Sequence, residues 1–334
     1  MEHQFDLSLG VVLAGAFTGT ALLPMKFTSH WKFENTWLTF SVIAYLILPW
    51  IVAAATVPDL WAVYSDAGMN ACVLTAIFGF GWGLAVVLNG IGVAMVGLSL
   101  ASAILMGSSI ALGSILALIA QDARQVLTGP GLTITALGLL MLAGVMLCAR
   151  AGQLRDRDVA KSEVEGRRTS RGILICFAAG ILSTLFNVAL AYGGAISQAA
   201  TKHGASTFSS ANAIWGLAVS VGSLPSIVLC VFYLSRNGTW RLFRSDSKRS
   251  FLLCVLMAGL WISGAVTYGA MSNELGKFGP ALGWPIYMSA IILSSNICGL
   301  LTGEWRGAVG APVRYMLSGV GLQLVAILAL SNVH

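Results

Sequence analysis

Long, uninterrupted apolar runs constrain this chain more than any other feature of its sequence. A helix of roughly 20 apolar residues crosses the hydrocarbon core of a bilayer, and it satisfies the hydrogen bonds that lipid cannot. The chain is therefore predicted to be an all-α integral membrane protein with ten transmembrane helices. We place these spans at residues 7–25, 37–57, 71–92, 95–119, 132–150, 172–192, 211–235, 251–271, 281–303 and 315–333.

The composition agrees with a protein surrounded by lipid. Only 10% of the residues are charged, whereas a soluble domain carries about a quarter. The net charge of +6 indicates membrane topology and contact with anionic lipid rather than nucleic-acid binding. The six cysteines are scattered and the four histidines lie outside the spans, so we expect no metal site and no cofactor.

The basic residues define an orientation. Sixteen of the 19 Lys and Arg residues fall in one set of loops and three, Arg124, Lys202 and Lys277, in the other. Loops rich in Lys and Arg stay in the cytoplasm. We therefore expect a multi-pass protein of the bacterial inner membrane with both termini on the periplasmic or extracellular side. No cleavable signal is apparent, because the start of the chain is acidic rather than basic.

A weak internal repeat accompanies the ten spans. At an offset of 179 residues, Trp82 matches Trp261, Gly90 matches Gly269 and Gly97 matches Gly276. Five spans per half would place the halves in opposite orientations, which is the usual construction of secondary transporters. We therefore predict two inverted five-helix repeats, at residues 1–150 and 172–334, joined by a cytoplasmic linker at 151–171. The third and fourth spans are predicted to reverse tightly near Gly92 and Gly97, where glycine permits the turn.

Polar and aromatic side chains within the spans are candidates for a solute site. On the third span Trp82 and Asn89 share one helix face, and Trp261 and Tyr268 repeat that spacing on the eighth. The predicted substrate-binding residues are Trp82, Asn89, Ser109, Asn187, Trp215, Trp261, Tyr268, Trp284 and Asn296. Aromatic rings suit the C–H faces of a sugar, and amides and hydroxyls suit its hydroxyl groups. The alternative is structural: interfacial belt residues, helix packing and interhelical hydrogen bonds.

Charged side chains are kept away from the middle of the spans. A charge in the bilayer costs several kcal/mol, and a site for a charged ligand would need a counter-charge. The sequence therefore favours a neutral polar solute. Glu34, Glu274, Glu304 and Lys26, near helix ends or in loops, are the candidates for coupling transport to a proton or another cation.

Several motifs resemble those of the L-rhamnose–proton symporter family, within the drug/metabolite transporter superfamily, nearly from end to end. They are Pro24-Met25-Lys26, Trp31-x-Phe33-Glu34-x-x-Trp37, Leu48-Pro49-Trp50, Phe78-Gly79-x-x-Trp82-Gly83, Gly97-Leu98-Ser99, Arg150-Ala151-Gly152-Gln153-Leu154, Gly259-Leu260-Trp261, Tyr268-Gly269 and Glu304-Trp305. The resemblance implies ten helices in two inverted repeats and uptake of a 6-deoxyhexose such as L-rhamnose, driven by a proton gradient. The chain departs from the family pattern along the third and eighth spans, which carry fewer polar residues here.

Two other functions compete with sugar uptake. An exporter of metabolites or drugs in the same superfamily would need an acidic residue in its pocket for cationic ligands, and none lies inside a span. A membrane-embedded enzyme would need a catalytic group at membrane depth. The histidines that could supply one, His3, His30, His203 and His334, are far apart and outside the spans. The favoured function is a secondary carrier that works by alternating access.

Overall fold

The structure is a computed structural model that describes residues 2–28, 30–96, 98–157, 166–245, 247–303, 305 and 310–331. All regular structure in these ranges is helical. The first half contains α1 (Glu2–Thr20), α2 (Phe33–Ser41), α3 (Leu48–Thr56), α4 (Leu60–Ala67), α5 (Met69–Val96), α6 (Leu98–Asp122) and α7 (Gly129–Arg157). The second contains α8 (Gly166–Ser183), α9 (Leu185–Tyr192), α10 (Gly194–Lys202), α11 (Thr207–Asn237), α12 (Ser247–Glu274), α13 (Gly279–Leu301) and α14 (Ala311–Leu330).

Short helical turns complete the secondary structure. They are 3₁₀ turns at Leu23–Phe27, Ala123–Leu127, Thr239–Arg244 and Gly276–Phe278, and a π-helical turn at Val42–Ile47.

Nine helical segments of the described chain are long and apolar enough to cross a membrane. They coincide with nine of the ten predicted spans, so the prediction of a multi-pass helical membrane protein is confirmed. The remaining span, predicted at 95–119, is covered by the 25-residue α6. Within α6 the apolar part is the shorter stretch Ile104–Ile119.

Of the two glycines predicted to permit the reversal between the third and fourth spans, Gly92 does not lie at it. Helix α5 continues through Gly92 to Val96, and α6 begins at Leu98; Gly97 lies outside the described residues. A Cβ on Gly92 would collide with the Cys176 side chain of α8. This glycine therefore permits close helix packing rather than a turn. Both ends of the predicted linker at 151–171 are helical. Helix α7 extends into it as far as Arg157, and α8 begins within it at Gly166.

The second and sixth predicted spans are interrupted helices. The second consists of α2, the π-helical turn and α3, with Pro49 in the first turn of α3. Proline has no N–H to donate to the preceding turn, so the regular α-helical ladder cannot pass through it. The sixth span consists of α8, α9 and α10, with breaks at Thr184 and Gly193. A Cβ on Gly193 would collide with the side chain of Ile214 in α11.

Small residues let α5 and α11 cross in close contact. Cβ atoms on Gly79 and Gly83 would collide with the carbonyl groups of Ala218 and Gly222. Lipid gives helices no hydrophobic reason to associate, so close backbone packing of this kind stabilises the pair. The crossing also brings the Trp82 indole of α5 against Gly222, at the centre of the bundle.

Candidate functional site

Eight aromatic side chains meet at the centre of the helices, and we call them the aromatic cluster. Their exposed fractions are all 8% or less. They come from the π-helical turn and from helices α5, α9, α11, α12 and α13: Tyr45, Trp82, Phe186, Trp215, Trp261, Tyr268, Trp284 and Tyr287. Each ring packs against others of the set, and we call this buried arrangement closed.

Trp82 and Trp261 stack on each other. Their ring centroids are 5.7 Å apart, with an interplanar angle of 30°. Tyr45 packs edge-on against both, at 5.2 Å from Trp82 and 4.7 Å from Trp261. The two tryptophans that the sequence repeat equates are therefore in contact, with the tyrosine of the π-helical turn beside them. π-Helical turns are frequent at functional sites.

A second stack lies next to the first. The ring of Phe186 is 4.4 Å from that of Trp215, with an interplanar angle of 13°, and 5.2 Å from that of Trp82. Tyr268 and Tyr287 are similarly stacked at 4.6 Å. Aromatic pairs of this kind contribute about 0.5–1.5 kcal/mol beyond the area they bury, so the closed cluster has appreciable stability.

Asn187 is the polar centre of the cluster. It is fully buried, and its Nδ2 donates to the carbonyl oxygens of Pro280 at 3.0 Å and Gly113 at 3.3 Å. Its Oδ1 accepts a hydrogen bond from the hydroxyl of Tyr268. One amide thus joins α9 to α6, α12 and α13. Removing it would take one hydrogen bond from a buried hydroxyl and one from each of two carbonyls.

Other polar groups of the cluster are tied to the surrounding helices. The hydroxyls of Tyr287 and Thr18 lie 2.8 Å apart. The Trp284 Nε1 donates to the carbonyl oxygen of Ser109 at 3.0 Å, and the indole occupies the space that a Cβ on Gly113 would need. These contacts fix α13 against α1 and α6.

Two buried polar atoms of the site have no hydrogen-bond partner among the described residues. They are the Nε1 donor of Trp215 and the Oγ of Ser109. Both side chains are buried, with exposed fractions of 1% and 0%. Leaving a buried donor unpaired costs about 1–3 kcal/mol. Each atom could therefore gain a partner from the hydroxyl of a bound solute.

The structure brings six of the nine predicted substrate-binding residues together, and Ser109 binds one of them through its carbonyl. The other two lie elsewhere. Asn89 is half-buried on α5, about 10 Å beyond Trp82 along the helix axis. Asn296 donates to the carbonyl of Ile292 in its own helix at 3.0 Å. Neither belongs to the aromatic cluster.

The four predicted coupling residues lie away from the aromatic cluster as far as they are described. Glu34, 7% exposed, is the one charged residue that is buried among the described side chains. Its Oε1 accepts from Thr239 Oγ1 at 2.8 Å and from Asn237 Nδ2 at 3.0 Å. Lys26 is exposed, with its Nζ 3.2 Å from Thr302 Oγ1, and Glu274 is exposed at the end of α12. Glu304 lies outside the described residues.

Sequence reasoning missed Thr18, Tyr45 and Phe186. Tyr45 lies four residues before Pro49, at the position whose carbonyl a proline leaves without its helical donor. That spacing was the available signal for Tyr45. Phe186 adjoins Asn187, but nothing in the apolar run indicates which way it points. Thr18 is one of several hydroxyl residues in α1, and its role depends on Tyr287 269 residues away.

Membrane-crossing helices around a buried aromatic and amide centre define a multi-pass membrane protein with a candidate solute site. Comparison with known proteins gives the particular family. The profile described as L-rhamnose-proton symport protein matches residues 5–333. The chain therefore belongs to this family of transporters, and the membrane-enzyme alternative is wrong.

Relatives named L-rhamnose-proton symporter cover almost the whole chain. The protein from Citrobacter koseri is 27% identical over 335 residues, which are 98% of this chain and 97% of the relative. One from Klebsiella pneumoniae is 25% identical with the same coverage. One from Cronobacter sakazakii is 26% identical over 96% of both chains.

Proposed function

We propose that the protein takes up L-rhamnose together with a proton, by alternating access across the bacterial inner membrane. The observation that carries this proposal is the stack of Trp82 on Trp261 within a closed aromatic cluster, in a chain of the symporter family. The named relatives transport L-rhamnose with a proton. No observation favours export over uptake.

The chemistry of the aromatic cluster suits a 6-deoxyhexose. The methyl group and C–H faces of such a sugar can pack on indole and phenol rings. Its hydroxyls can accept from Trp215 Nε1 and donate to Ser109 Oγ, the two unpaired atoms of the site. A site built this way rejects analogues that leave its polar groups unpaired. For the sugar to enter, the Trp82–Trp261 stack has to open.

The proposed architecture has ten membrane-spanning helices in two inverted repeats, with α6 as the tenth. In the proposed repeat α5 corresponds to α12, α8 to α1 and α6 to α13. Corresponding pairs of these helices pack alike, which supports the repeat. Glycines hold α5 close to α8 at Gly92 and α12 close to α1 at Gly264. In the same way α8 packs on α6 at Gly180, and α1 packs on α13 at Gly15. Both termini lie on the outer side, as the distribution of basic residues indicates.

Glu34 is the proposed coupling residue. It is buried where α2 meets the end of α11, and its carboxylate holds Asn237 and Thr239. Hydrogen bonds to an ionised acceptor are about twice as strong as neutral ones. A proton on the carboxylate would weaken both bonds and release α2 from α11. Protonation would thereby favour opening toward the cytoplasm.

Uptake of radiolabelled L-rhamnose into proteoliposomes tests the proposal. An inward proton gradient should stimulate uptake several-fold, and unlabelled 6-deoxyhexoses should compete better than other sugars. Uptake that does not depend on the gradient would contradict proton coupling. Failure of every sugar to enter would contradict the proposed function. An N-terminal tag should be accessible from outside intact cells; access from the cytoplasm alone would overturn the orientation.

A further inference from the structure

An open pocket lies at the end of the bundle opposite Glu34. Its volume is about 470 Å³, and it lies between α9, α10, α11 and α12. Its polar lining includes Ser197, Gln198, Thr201, Thr207, Ser210 and Asn273. We call it the Asn273 pocket. Ligand pockets in proteins have volumes of about 300–1,000 Å³, so a monosaccharide fits.

Asn273 organises the wall of this pocket. Its Nδ2 donates to Ser210 Oγ at 2.9 Å and to Ser197 Oγ at 3.2 Å, and the two hydroxyls lie 2.7 Å apart. One amide and two hydroxyls therefore join α12, α11 and α10. These groups both donate and accept, so a sugar hydroxyl can replace either partner without leaving the other unpaired.

The charges beside the pocket indicate a neutral ligand. Lys202 is part of the lining, but its Nζ lies 3.5 Å from Asp66 Oδ2. The same oxygen lies 3.0 Å from His203 Nε2. The carboxylate of α4 thus offsets the positive charge at the pocket, and no acidic residue is part of its lining in the described chain.

The pocket and the aromatic cluster are formed by the same helices, at different heights along them. Leu190 in its lining is three residues after Asn187 on α9. Ser210 precedes Trp215 by five residues on α11, and Asn273 follows Tyr268 by five on α12. Five helical residues rise about 7.5 Å. A solute in the pocket is therefore about one and a half helical turns from the rings.

We propose that the Asn273 pocket is a second binding site for the transported sugar, occupied on the outer side before the aromatic cluster opens. The inference rests on the proposed function and orientation. In the closed arrangement of the cluster the sugar can bind here first. Rearrangement of Ser197, Ser210 and Asn273 around its hydroxyls then loosens the contacts that hold α10, α11 and α12 together.

Protection of an introduced cysteine tests this site. Thr201→Cys places a thiol in the pocket lining, and a membrane-impermeant maleimide added outside should label it. The parent chain is the control, because its Cys72 and Cys298 are partly accessible. L-Rhamnose should slow labelling at least 3-fold, and mannitol at equal osmolarity should not. Protection should persist when Trp261→Ala or Trp82→Ala is added, whichever of the two variants remains monodisperse.

Matched asparagine variants localise the protection. Asn273→Ala in the Thr201→Cys chain should abolish it, whereas Asn296→Ala should leave it unchanged, because Asn296 bonds its own helix. Protection that disappears with Trp261→Ala and Trp82→Ala would place the sugar in the cluster alone and overturn the second site. Uptake of L-rhamnose without protection would also overturn it, while leaving the proposed function intact. Absence of both uptake and protection would overturn both.

Discussion

The two ends of the bundle are built differently. At one end the buried carboxylate of Glu34 binds Asn237 and Thr239 and closes α2 against α11. At the other end the pocket beside Asn273 lies between α10, α11 and α12. The aromatic cluster separates them, with every ring 8% exposed or less. One end is sealed by an ionic group, and the other is joined by neutral hydroxyls and an amide.

This difference indicates which of the two ligands, the sugar or the proton, acts at each end. A charge-assisted contact such as that of Glu34 weakens when the carboxylate takes up a proton. Neutral hydroxyl contacts instead exchange readily with the hydroxyls of a sugar. We therefore infer that sugar acts at the Asn273 end and the proton at the Glu34 end. A carrier needs both ends to be linked through the centre, so that they do not open together.

The largest effect is expected from the aromatic centre. Trp261→Ala should lower L-rhamnose uptake about 30- to 700-fold, because loss of a buried aromatic contact costs about 2–4 kcal/mol of binding. Trp82→Ala should do the same. The measurement is initial uptake into proteoliposomes at matched protein density. Trp240→Ala is the control, since that indole is 46% exposed. Normal uptake by both cluster variants would remove the aromatic centre from the site.

The next largest effect is expected at Asn187, which holds the centre to three other helices. Asn187→Ala removes three buried hydrogen bonds, to the Tyr268 hydroxyl and to the carbonyls of Gly113 and Pro280, and each such bond contributes about 0.5–1.5 kcal/mol. Uptake should fall about 10- to 100-fold and the melting temperature in detergent should drop by several degrees. Asn296→Ala should change uptake less than about 2-fold. Equal effects of the two variants would contradict the assigned geometry.

The Glu34 end should respond more weakly but in a diagnostic way. Glu34→Ala removes the acceptor of two hydrogen bonds, so α2 should separate from α11 more often. Native Cys254 is buried with its Sγ 3.6 Å from the carbonyl of Thr36 on α2. Its maleimide labelling should become several-fold faster, and uptake should lose its dependence on the proton gradient.

Glu274→Ala is the matched control for Glu34, because Glu274 is exposed at the end of α12. It should leave labelling of Cys254 and gradient dependence unchanged. Gradient-driven uptake that survives Glu34→Ala would show that the proton binds elsewhere.

The smallest effect is expected for the exposed contact beside the pocket. Hydrogen bonding from His203 and the charge of Lys202 lower the pKa of Asp66 from its ordinary value of 3.8. A carboxyl with a lowered pKa contributes stability above its ordinary value and loses it as the pH falls through the folded value. Asp66→Asn should therefore lower the melting temperature by the same small amount from pH 5 to 8, less than about 2 °C because exposed ion pairs contribute little, and this difference should disappear below pH 3.8. A larger shift would show that α4 and α10 are held by this contact.

The sequence indicated correctly which residue types form the centre, and less well where they lie. Trp82 and Trp261 were predicted from their matching positions, and the structure stacks them. Asn89 shares a helix face with Trp82, yet it lies beyond the cluster, because a face that runs the length of α5 leaves the site after about two turns. Asn296 was predicted on its residue type alone, and its amide bonds its own helix.

The apolar runs and the placement of Lys and Arg by themselves determined that this chain crosses a membrane many times, since lipid tolerates little else. The tertiary structure decided which sides of the helices face one another. In a membrane both the lipid-facing and the inward sides are apolar, so hydrophobic periodicity does not identify the inner side. The π-helical turn before Pro49 turns Tyr45 toward the tryptophans, and the break at Thr184 allows Phe186 to stack on Trp215. Such contacts join residues far apart in sequence and exist only once the helices have packed.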